Sequence, residues 1–194
     1  SLRRQRQMCI RDRVELSETV IPALKHKNTI IQNASDPTET APGYSGDRYC
    51  PDCDKVLEKG YTYWNEDNLT WTLTADGTLT ISGTGAMKEY YGSDNSPAYG
   101  NSKIKKVVIE NGVTSIGAYA FSGCSNLASI EIPSSVTSIG NSVLQNCSSL
   151  TDITIPSSVK SIGANAFSDC TGLISITIPK SVTSIGDDAF SGTP

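Results

Sequence analysis

Histidine is almost absent from this 194-residue sequence, because His26 is the only one and the repetitive half after residue 104 has none. Hydrolases that use a Ser-His-Asp or Cys-His arrangement need an imidazole beside the nucleophile. The sequence also lacks the G-x-S-x-G, H-E-x-x-H and phosphate-binding loop motifs. We therefore expect no catalytic residues and no cofactor, and we interpret the protein as a non-enzyme.

Clustered positive charge and long apolar runs are also scarce. The chain has 16 Lys and Arg against 20 Asp and Glu, for a formal net charge of −4. Only Lys103, Lys105 and Lys106 form a basic cluster, which we interpret as a solvated edge of the first repeat. Nucleic-acid binding requires a larger basic patch, and a membrane-spanning helix requires about 20 apolar residues. The sequence predicts neither a nucleic-acid partner nor a membrane span in this chain.

The C-terminal half is periodic. The phrase V-x-S-I-G begins at Val113, Val136, Val159 and Val182, and this equal spacing defines a 23-residue repeat. A unit of this size cannot bury its own apolar face, so it becomes stable only by stacking on its neighbours. Other positions keep the same period, including Cys124, Cys147 and Cys170, and Leu127, Leu150 and Leu173.

Each unit contains one segment that fits the strand pattern L-x-x-L-x-L, such as Leu127 to Ile132. The glycine of each Ile-Gly pair suits a turn with positive φ, and the Ala-Phe segment that follows has room for about one helical turn. We expect Phe121, Phe167 and Phe190 to fill the core there. The predicted fold is an α/β leucine-rich-repeat solenoid, with a short strand and a short helical or 3₁₀ turn in each 23-residue repeat.

The predicted strands place one set of polar side chains on the concave face. Side chains alternate along a strand, so Ile130 and Ile132 point inward while Ser129 and Glu131 point outward. Equivalent residues of the next two coils should lie beside them. The candidate ligand-binding residues are therefore Ser129, Glu131, Asp152, Thr154, Ser175 and Thr177.

The repeats resemble the BspA-like (Treponema-type) leucine-rich repeats of bacterial surface and secreted proteins. The stretch from Ile132 to Ile153 follows that family's pattern of I-P-x-S-V-x-x-I-G, then A-F, Cys and Leu. The resemblance covers residues 104–194, and it departs at Val143-Leu144, where the pattern has Ala-Phe, and at Thr193, where it has Cys. It implies a secreted or cell-wall-associated binding protein whose partner is a protein or a matrix ligand.

A β-hairpin is predicted before the repeats. Large apolar residues alternate with threonine on both sides of Asp76-Gly77, between Leu69 and Ile81. An Asp-Gly pair between alternating strands is a strong hairpin signal. Residues 61–103 are therefore expected to form an N-terminal cap that covers the hydrophobic end of the first coil.

Residues 1–13 are interpreted as an assembly artefact, because Arg3 to Asp12 back-translates to a sequence that resembles a transposase-type sequencing adapter. Competing interpretations are a basic nucleic-acid arm or the start of a signal peptide, but no apolar segment follows. Removing this segment, which contains five arginines and one aspartate, changes the net charge from −4 to −8.

Residues 14–60 form a small separate module that resembles a repeated module of bacterial surface proteins. It ends in Cys50-x-x-Cys53, which is half of a zinc-ribbon pattern, and His26 is a candidate third ligand. Zinc binding, a disulfide and free thiols all stay open. The three repeat cysteines are expected to pack as small hydrophobes, because equivalent positions on adjacent coils have parallel Cβ vectors that suit a disulfide poorly.

Three functions are consistent with the sequence. The first is adhesion or other protein binding through the concave face of a bacterial surface protein. The second is a structural spacer within a longer surface protein. The third is a non-catalytic part of a larger glycan-processing enzyme.

Overall fold

The computed structural model describes residues 29–37, 42–51, 54–91 and 96–194. The chain divides into two compact units, Ser1–Thr62 and Tyr63–Pro194. The interpretation of residues 1–13 and the roles considered for His26 and Cys53 fall outside the described residues. Every regular element in the described part of the chain is a β-strand.

The first unit contains a three-stranded antiparallel sheet with the strand order β1-β3-β4. Tyr49 of the central strand pairs with Ile30 on one side and with Val56 on the other. The Tyr44 N–H donates to the Ser35 carbonyl at 2.7 Å, in an isolated antiparallel bridge. The strands of this unit are β1 (Ile30–Gln32), β2 (Gly43–Tyr44), β3 (Asp47–Cys50) and β4 (Lys55–Glu58).

Asp47 is a buried carboxylate that holds this unit's loops together. It accepts hydrogen bonds from the Tyr44 hydroxyl, from the Lys59 ammonium at 3.0 Å and from the Gly60 N–H at 3.1 Å. These donors favour the charged form, and they lower the pKa of Asp47 to about 2, with the Tyr44 hydroxyl as the largest cause. Asp47 therefore stays ionised except in strong acid.

The first unit should lose stability as the pH falls from about 4 towards 2. A carboxylate with a depressed folded-state pKa contributes stability above its unfolded pKa, and this contribution is lost as it becomes protonated. The Gly60 amide resonance reports on this group directly, because its N–H binds the carboxylate. It should titrate with a midpoint near pH 2 in the native protein. If the same midpoint persisted in Asp47→Asn, another group would be responsible.

The second unit contains a mixed sheet, called here the first sheet, that begins with the predicted hairpin. The hairpin is confirmed: Leu69 to Leu73 pairs antiparallel with Leu79 to Gly83, around a turn in which Gly77 has φ +91°. The second hairpin strand then pairs in parallel with the first repeat strand. In spatial order the strands are β13 (Asp152–Ile153), β11 (Ser129–Glu131), β9 (Lys106–Ile109), β7 (Thr78–Gly83), β6 (Leu69–Leu73) and β5 (Thr62–Glu66).

A second sheet, which the sequence did not predict, is built from the V-x-S-I phrases. Its strands are parallel, and Ser115 pairs with Ser138, Ser138 with Ser161 and Ser161 with Ser184. Each of these coils therefore presents its phrase in register with the next. In spatial order the strands are β15 (Ser184–Ile185), β14 (Ser161–Ile162), β12 (Ser138–Ile139), β10 (Val113–Ile116) and β8 (Gly85–Ala86).

The segments after each Ile-Gly pair are hydrogen-bonded turns, and no helical turn is assigned in the described residues. The Ala120 N–H donates to the Gly117 carbonyl three residues back, but the Tyr119 N–H donates to the Asn141 carbonyl of the next coil. Because every second N–H group of the segment donates to the next coil, the segment cannot form the continuous series of internal hydrogen bonds that a helix needs. Two residues of each turn also have positive φ: Tyr119 and Gly123, Ser142 and Asn146, Asn165 and Asp169, and Asp188 and Gly192.

The prediction that the Ile-Gly glycines need positive φ was wrong. None of these glycines has a positive φ, neither the first two, Gly117 and Gly140, nor the last two, Gly163 and Gly186. These glycines are required because adjacent coils approach closely. A Cβ at Gly140 would lie 2.5 Å from the Ala118 amide nitrogen, and a Cβ at Gly163 would lie 2.5 Å from the Asn141 nitrogen.

One hydrophobic core runs from the hairpin through the coils. Trp71 of the hairpin is fully buried, and its ring centroid lies 5.7 Å from that of Phe121 in the first full coil. Phe121 and Phe167 fill the core as predicted, whereas Phe190 is only partly buried and stacks on Phe167 at 5.3 Å. The hairpin and the repeats therefore share one core.

The repeat cysteines are buried free thiols, as predicted. The Cys147 thiol donates to the Phe121 carbonyl of the preceding coil at 3.3 Å. Cys124 and Cys170 make the equivalent bonds to Ala98 and Leu144. The Thr193 hydroxyl donates to the Phe167 carbonyl at 2.7 Å, so threonine replaces cysteine here without loss of the hydrogen bond.

These thiols should be unreactive until the coils separate. Burial raises the pKa of Cys124 to about 12 and that of Cys170 to about 11, and it also raises the pKa of Cys147. Only the thiolate reacts readily. In a variant with Ala at positions 9, 50 and 53, Ellman's reagent should label three thiols rapidly in denaturant and almost none in native buffer. Rapid native labelling would mean that the coils open easily.

Candidate interaction face

The outward side of the first sheet carries polar side chains in register on adjacent strands. Ser129 pairs with Lys106 on one side and with Asp152 on the other, so these three residues form one row across three strands. The intervening residues Val107 and Ile130 are buried. Neighbouring strands lie about 4.8 Å apart, so one extended segment of a partner can contact the whole row.

A second row lies two residues further along the strands. Glu131 pairs with Val108, and Thr154 forms a parallel bridge with Thr177. The structure therefore places five of the six predicted residues in paired positions of this sheet or its continuation. The sixth, Ser175, is exposed and belongs to no assigned strand.

Lys106 was missed as a member of this face. Its position in a cluster of lysines indicated a solvated edge, but its ammonium lies 2.6 Å from a Glu131 carboxylate oxygen. Both side chains are substantially exposed, so the pair contributes at most about 1 kcal/mol to stability. Counting back one repeat from Ser129 leads to Lys106, and this register was the signal available in the sequence.

The same rows continue onto the hairpin. Thr78 pairs with Lys106, and Thr80 pairs with Val108. The next strand adds Thr72 opposite Thr80. We call this surface the polar strand face, and define it as Thr72, Thr78, Thr80, Lys106, Ser129, Glu131, Asp152, Thr154, Ser175 and Thr177.

The polar strand face offers hydrogen bonds and charges but no reactive group. Its side chains are hydroxyls, two carboxylates and one ammonium, and none of its hydroxyls is paired with a general base. In the described part of the chain no cluster of three or more His, Cys, Asp or Glu residues could hold a metal ion.

The turn residues, in contrast, have structural roles. The Asn141 side-chain oxygen accepts a hydrogen bond from the Ala164 N–H at 2.8 Å. Asn165 has φ +54°, a conformation that asparagine tolerates better than most residues. Substitutions at these two positions would disturb the fold, so they are poor controls for binding.

The BspA-type leucine rich repeat family model matches residues 95–194, in six copies. The chain belongs to this family. The match covers the strands and turns from Lys106 onward and leaves out the first unit, the hairpin and Gly85–Ala86. This match confirms the resemblance inferred from the repeat pattern. It also confirms that the protein contains leucine-rich repeats of a bacterial type.

Solved structures of two bacterial leucine-rich repeat proteins share the fold. A leucine-rich repeat protein from Eubacterium ventriosum is 33% identical over 68% of this chain and 35% of its own length, with a TM-score of 0.59. A T. pallidum leucine-rich repeat protein is 28% identical over 66% of each chain, with a TM-score of 0.50. The chain thus corresponds to about a third of one relative's length and two thirds of the other's.

No curated protein matches the sequence significantly.

Within the residues that the structure describes, no helix has the length and apolar character needed to cross a membrane. The BspA-type repeat fold is a binding architecture, because stacked coils expose an extended surface.

Proposed function

We propose that this BspA-type protein is a secreted or cell-surface bacterial protein that binds a protein ligand through the polar strand face and thereby mediates adhesion. The observation that carries this proposal is the register of Lys106, Ser129 and Asp152 on three adjacent strands. A single partner can contact all three, whereas the turn residues are occupied in holding the coils together.

The amino-acid composition of the polar strand face is that of a recognition surface and not that of an exposed hydrophobic core. Its buried neighbours are aliphatic, and its exposed members are hydroxyls and charges. The Asp152 side chain is exposed, at one end of the row that begins with Lys106. Charge complementarity at such positions affects specificity and association rate most strongly.

Replacing Asp152 with lysine should weaken binding to a ligand of this face about tenfold or more. The change reverses charge within the row and leaves the Lys106–Glu131 ion pair in place. Binding can be measured by surface plasmon resonance against a panel of immobilised matrix proteins: collagen, laminin and fibronectin. Any panel member that binds the native protein then serves as the probe.

The double variant Thr114→Lys/Thr137→Lys is a matched control with the same change in net charge. Both threonines are exposed, Thr114 in a strand of the second sheet and Thr137 directly before the next strand, and the equivalent position of the following coil is naturally Lys160. It should bind as the native protein does. Weakening by the control but not by Asp152→Lys would place the ligand on the second sheet.

A structural spacer is the alternative, in which the stack holds another domain of a longer polypeptide away from the cell. Absence of binding to every panel protein would favour it.

For the domain organisation we propose that residues 1–13 are an artefact, 14–60 a surface-protein module, 61–103 a cap and 104–194 the repeats. We also propose that the protein is not an enzyme.

A further inference from the structure

The coil before the first complete repeat carries an insertion. The Tyr90 N–H donates to the Ala118 carbonyl, and the equivalent bond of the next coil joins the Tyr119 N–H to the Asn141 carbonyl. Along the sequence, the donor and the acceptor of the first bond are six residues further apart than those of the second. The bond from the Gly100 N–H to the Ser122 carbonyl again has the shorter span. Six extra positions are therefore inserted between Tyr90 and Gly100.

Tyr91 begins this insertion, and its ring is 55% exposed. It packs edge-on against Tyr119 of the next coil, with ring centroids 6.0 Å apart and an interplanar angle of 76°. Tyr119 is itself only partly buried. Two aromatic rings therefore lie together at the surface of the turn side, and this pair is absent from the later coils, which have Ser142, Asn165 and Asp188 at the position of Tyr119.

Tyr119 occupies a conformation that suits tyrosine poorly. Its φ is +59°, in the left-handed region, where Asn and Asp are several-fold enriched and bulky residues are rare. A left-handed conformation costs about 1–2 kcal/mol for an ordinary residue. Stability alone would favour asparagine here, and strained residues of this kind cluster at ligand sites.

Glu89 adds a negative charge beside the rings. Its carboxylate accepts hydrogen bonds from the Ala118 N–H at 2.8 Å and from the Tyr91 hydroxyl at 3.2 Å, and its side chain is exposed. The backbone N–H fixes the carboxylate in place, while the hydroxyl bond connects it to the ring pair. A fixed carboxylate bonded to the hydroxyl of an exposed aromatic pair can recognise a planar cation, which stacks on a ring face and pairs with the carboxylate.

We propose that Tyr91, Tyr119 and Glu89 form a second binding site, which takes an arginine side chain of a basic protein partner. The guanidinium stacks on a tyrosine face and forms hydrogen bonds with the Glu89 carboxylate, a combination that the ammonium of lysine reproduces only in part. The acidic balance of the chain, 20 Asp and Glu against 16 Lys and Arg, favours a basic partner. The site is independent of the polar strand face.

A fluorescent hexa-arginine peptide amide is a suitable probe, with hexa-lysine and hexa-glutamate amides as comparisons. Fluorescence anisotropy should show the tightest binding for hexa-arginine. Tyr91→Ala, Tyr119→Asn and Glu89→Gln should each raise its Kd about fivefold, which corresponds to the roughly 1 kcal/mol of an exposed cation–π contact. Asp152→Asn removes the same charge from the polar strand face and should leave the Kd unchanged.

Thermal unfolding separates this site from a structural role. In a Tyr91→Ala background, where the ring pair is already lost, adding Tyr119→Asn should raise the Tm by about 2 °C because asparagine tolerates the left-handed conformation. Equal affinities for hexa-arginine and hexa-lysine, or an Asp152→Asn effect as large as that of Glu89→Gln, would show only diffuse attraction and would overturn the proposal. A lower Tm for the double variant would overturn the inference from strain.

Discussion

Replacing Trp71 with alanine should lower the free energy of unfolding of the repeat unit by about 4 kcal/mol. Trp71 is fully buried and is the hairpin residue whose ring meets Tyr90 and Phe121 of the following coils. Its loss would leave a cavity where the hairpin and the coils share their core. Urea unfolding followed by far-ultraviolet circular dichroism would measure the effect.

Trp71→Phe is the matched control and should cost about 1 kcal/mol or less. The indole N–H is buried with no hydrogen-bond partner in the structure as described, so its removal relieves a desolvation cost that offsets part of the lost volume. By the same reasoning, deleting residues 69–85 should prevent the array from folding. A Trp71→Ala protein as stable as the native one would show that the hairpin is dispensable.

Replacing Gly140 with alanine should cost about 3 kcal/mol, which for a chain of this size lowers the Tm by roughly 10 °C. The new Cβ would lie 2.5 Å from the Ala118 nitrogen and 2.8 Å from the Ile116 carbonyl oxygen. Both obstacles are backbone atoms of the preceding coil, so the conflict cannot be relieved by a side-chain rotation. The two coils must move apart.

Gly100→Ala separates this steric effect from the conformational preference of glycine. Gly100 has φ +63°, and a Cβ there would meet nothing within 4 Å, so only the left-handed backbone disfavours alanine. The expected cost is about 1 kcal/mol. Equal costs for the two variants, measured by differential scanning calorimetry, would contradict the close-approach explanation.

Local sequence patterns were sufficient to predict the hairpin and the repeat strands of the first sheet. Leu69 to Leu73 and Thr78 to Ser82 alternate strictly between buried and more exposed residues. The V-x-S-I phrase does not: in Val113–Ile116 two buried residues flank two more exposed ones. A period of two is therefore missing, and the second sheet could be inferred only from the stacking of coils.

The role of the Ile-Gly glycines could not be predicted because two physical reasons for glycine look alike in a sequence. Positive φ is a local property, whereas a close approach depends on the backbone of a neighbouring coil, as with Gly140 and Ala118. The left-handed residues do leave a signal. Ser142, Asn165 and Asp188 share one repeat position, and small polar residues there are typical of a turn with positive φ.

The candidate site was predictable as far as the repeat pattern extends. Ser129, Asp152 and Glu131 follow from strand alternation, and the register of the strands adds Lys106. The hairpin hydroxyls required knowledge that Thr78 pairs with Lys106, which no sequence period encodes. Tyr119 was overlooked because it interrupts the pattern instead of repeating it.

The hydrogen bonds between coils connect each repeat only with its immediate neighbours, as the thiol bonds of Cys124, Cys147 and Cys170 illustrate. An in-frame duplication of one repeat's codons within the array would therefore reproduce the backbone and thiol bonds between coils. It would also lengthen the polar strand face by one strand spacing of about 4.8 Å. Unequal recombination can thus change the length of the polar strand face in fixed steps, without the new packing solutions that point mutations in a globular core require.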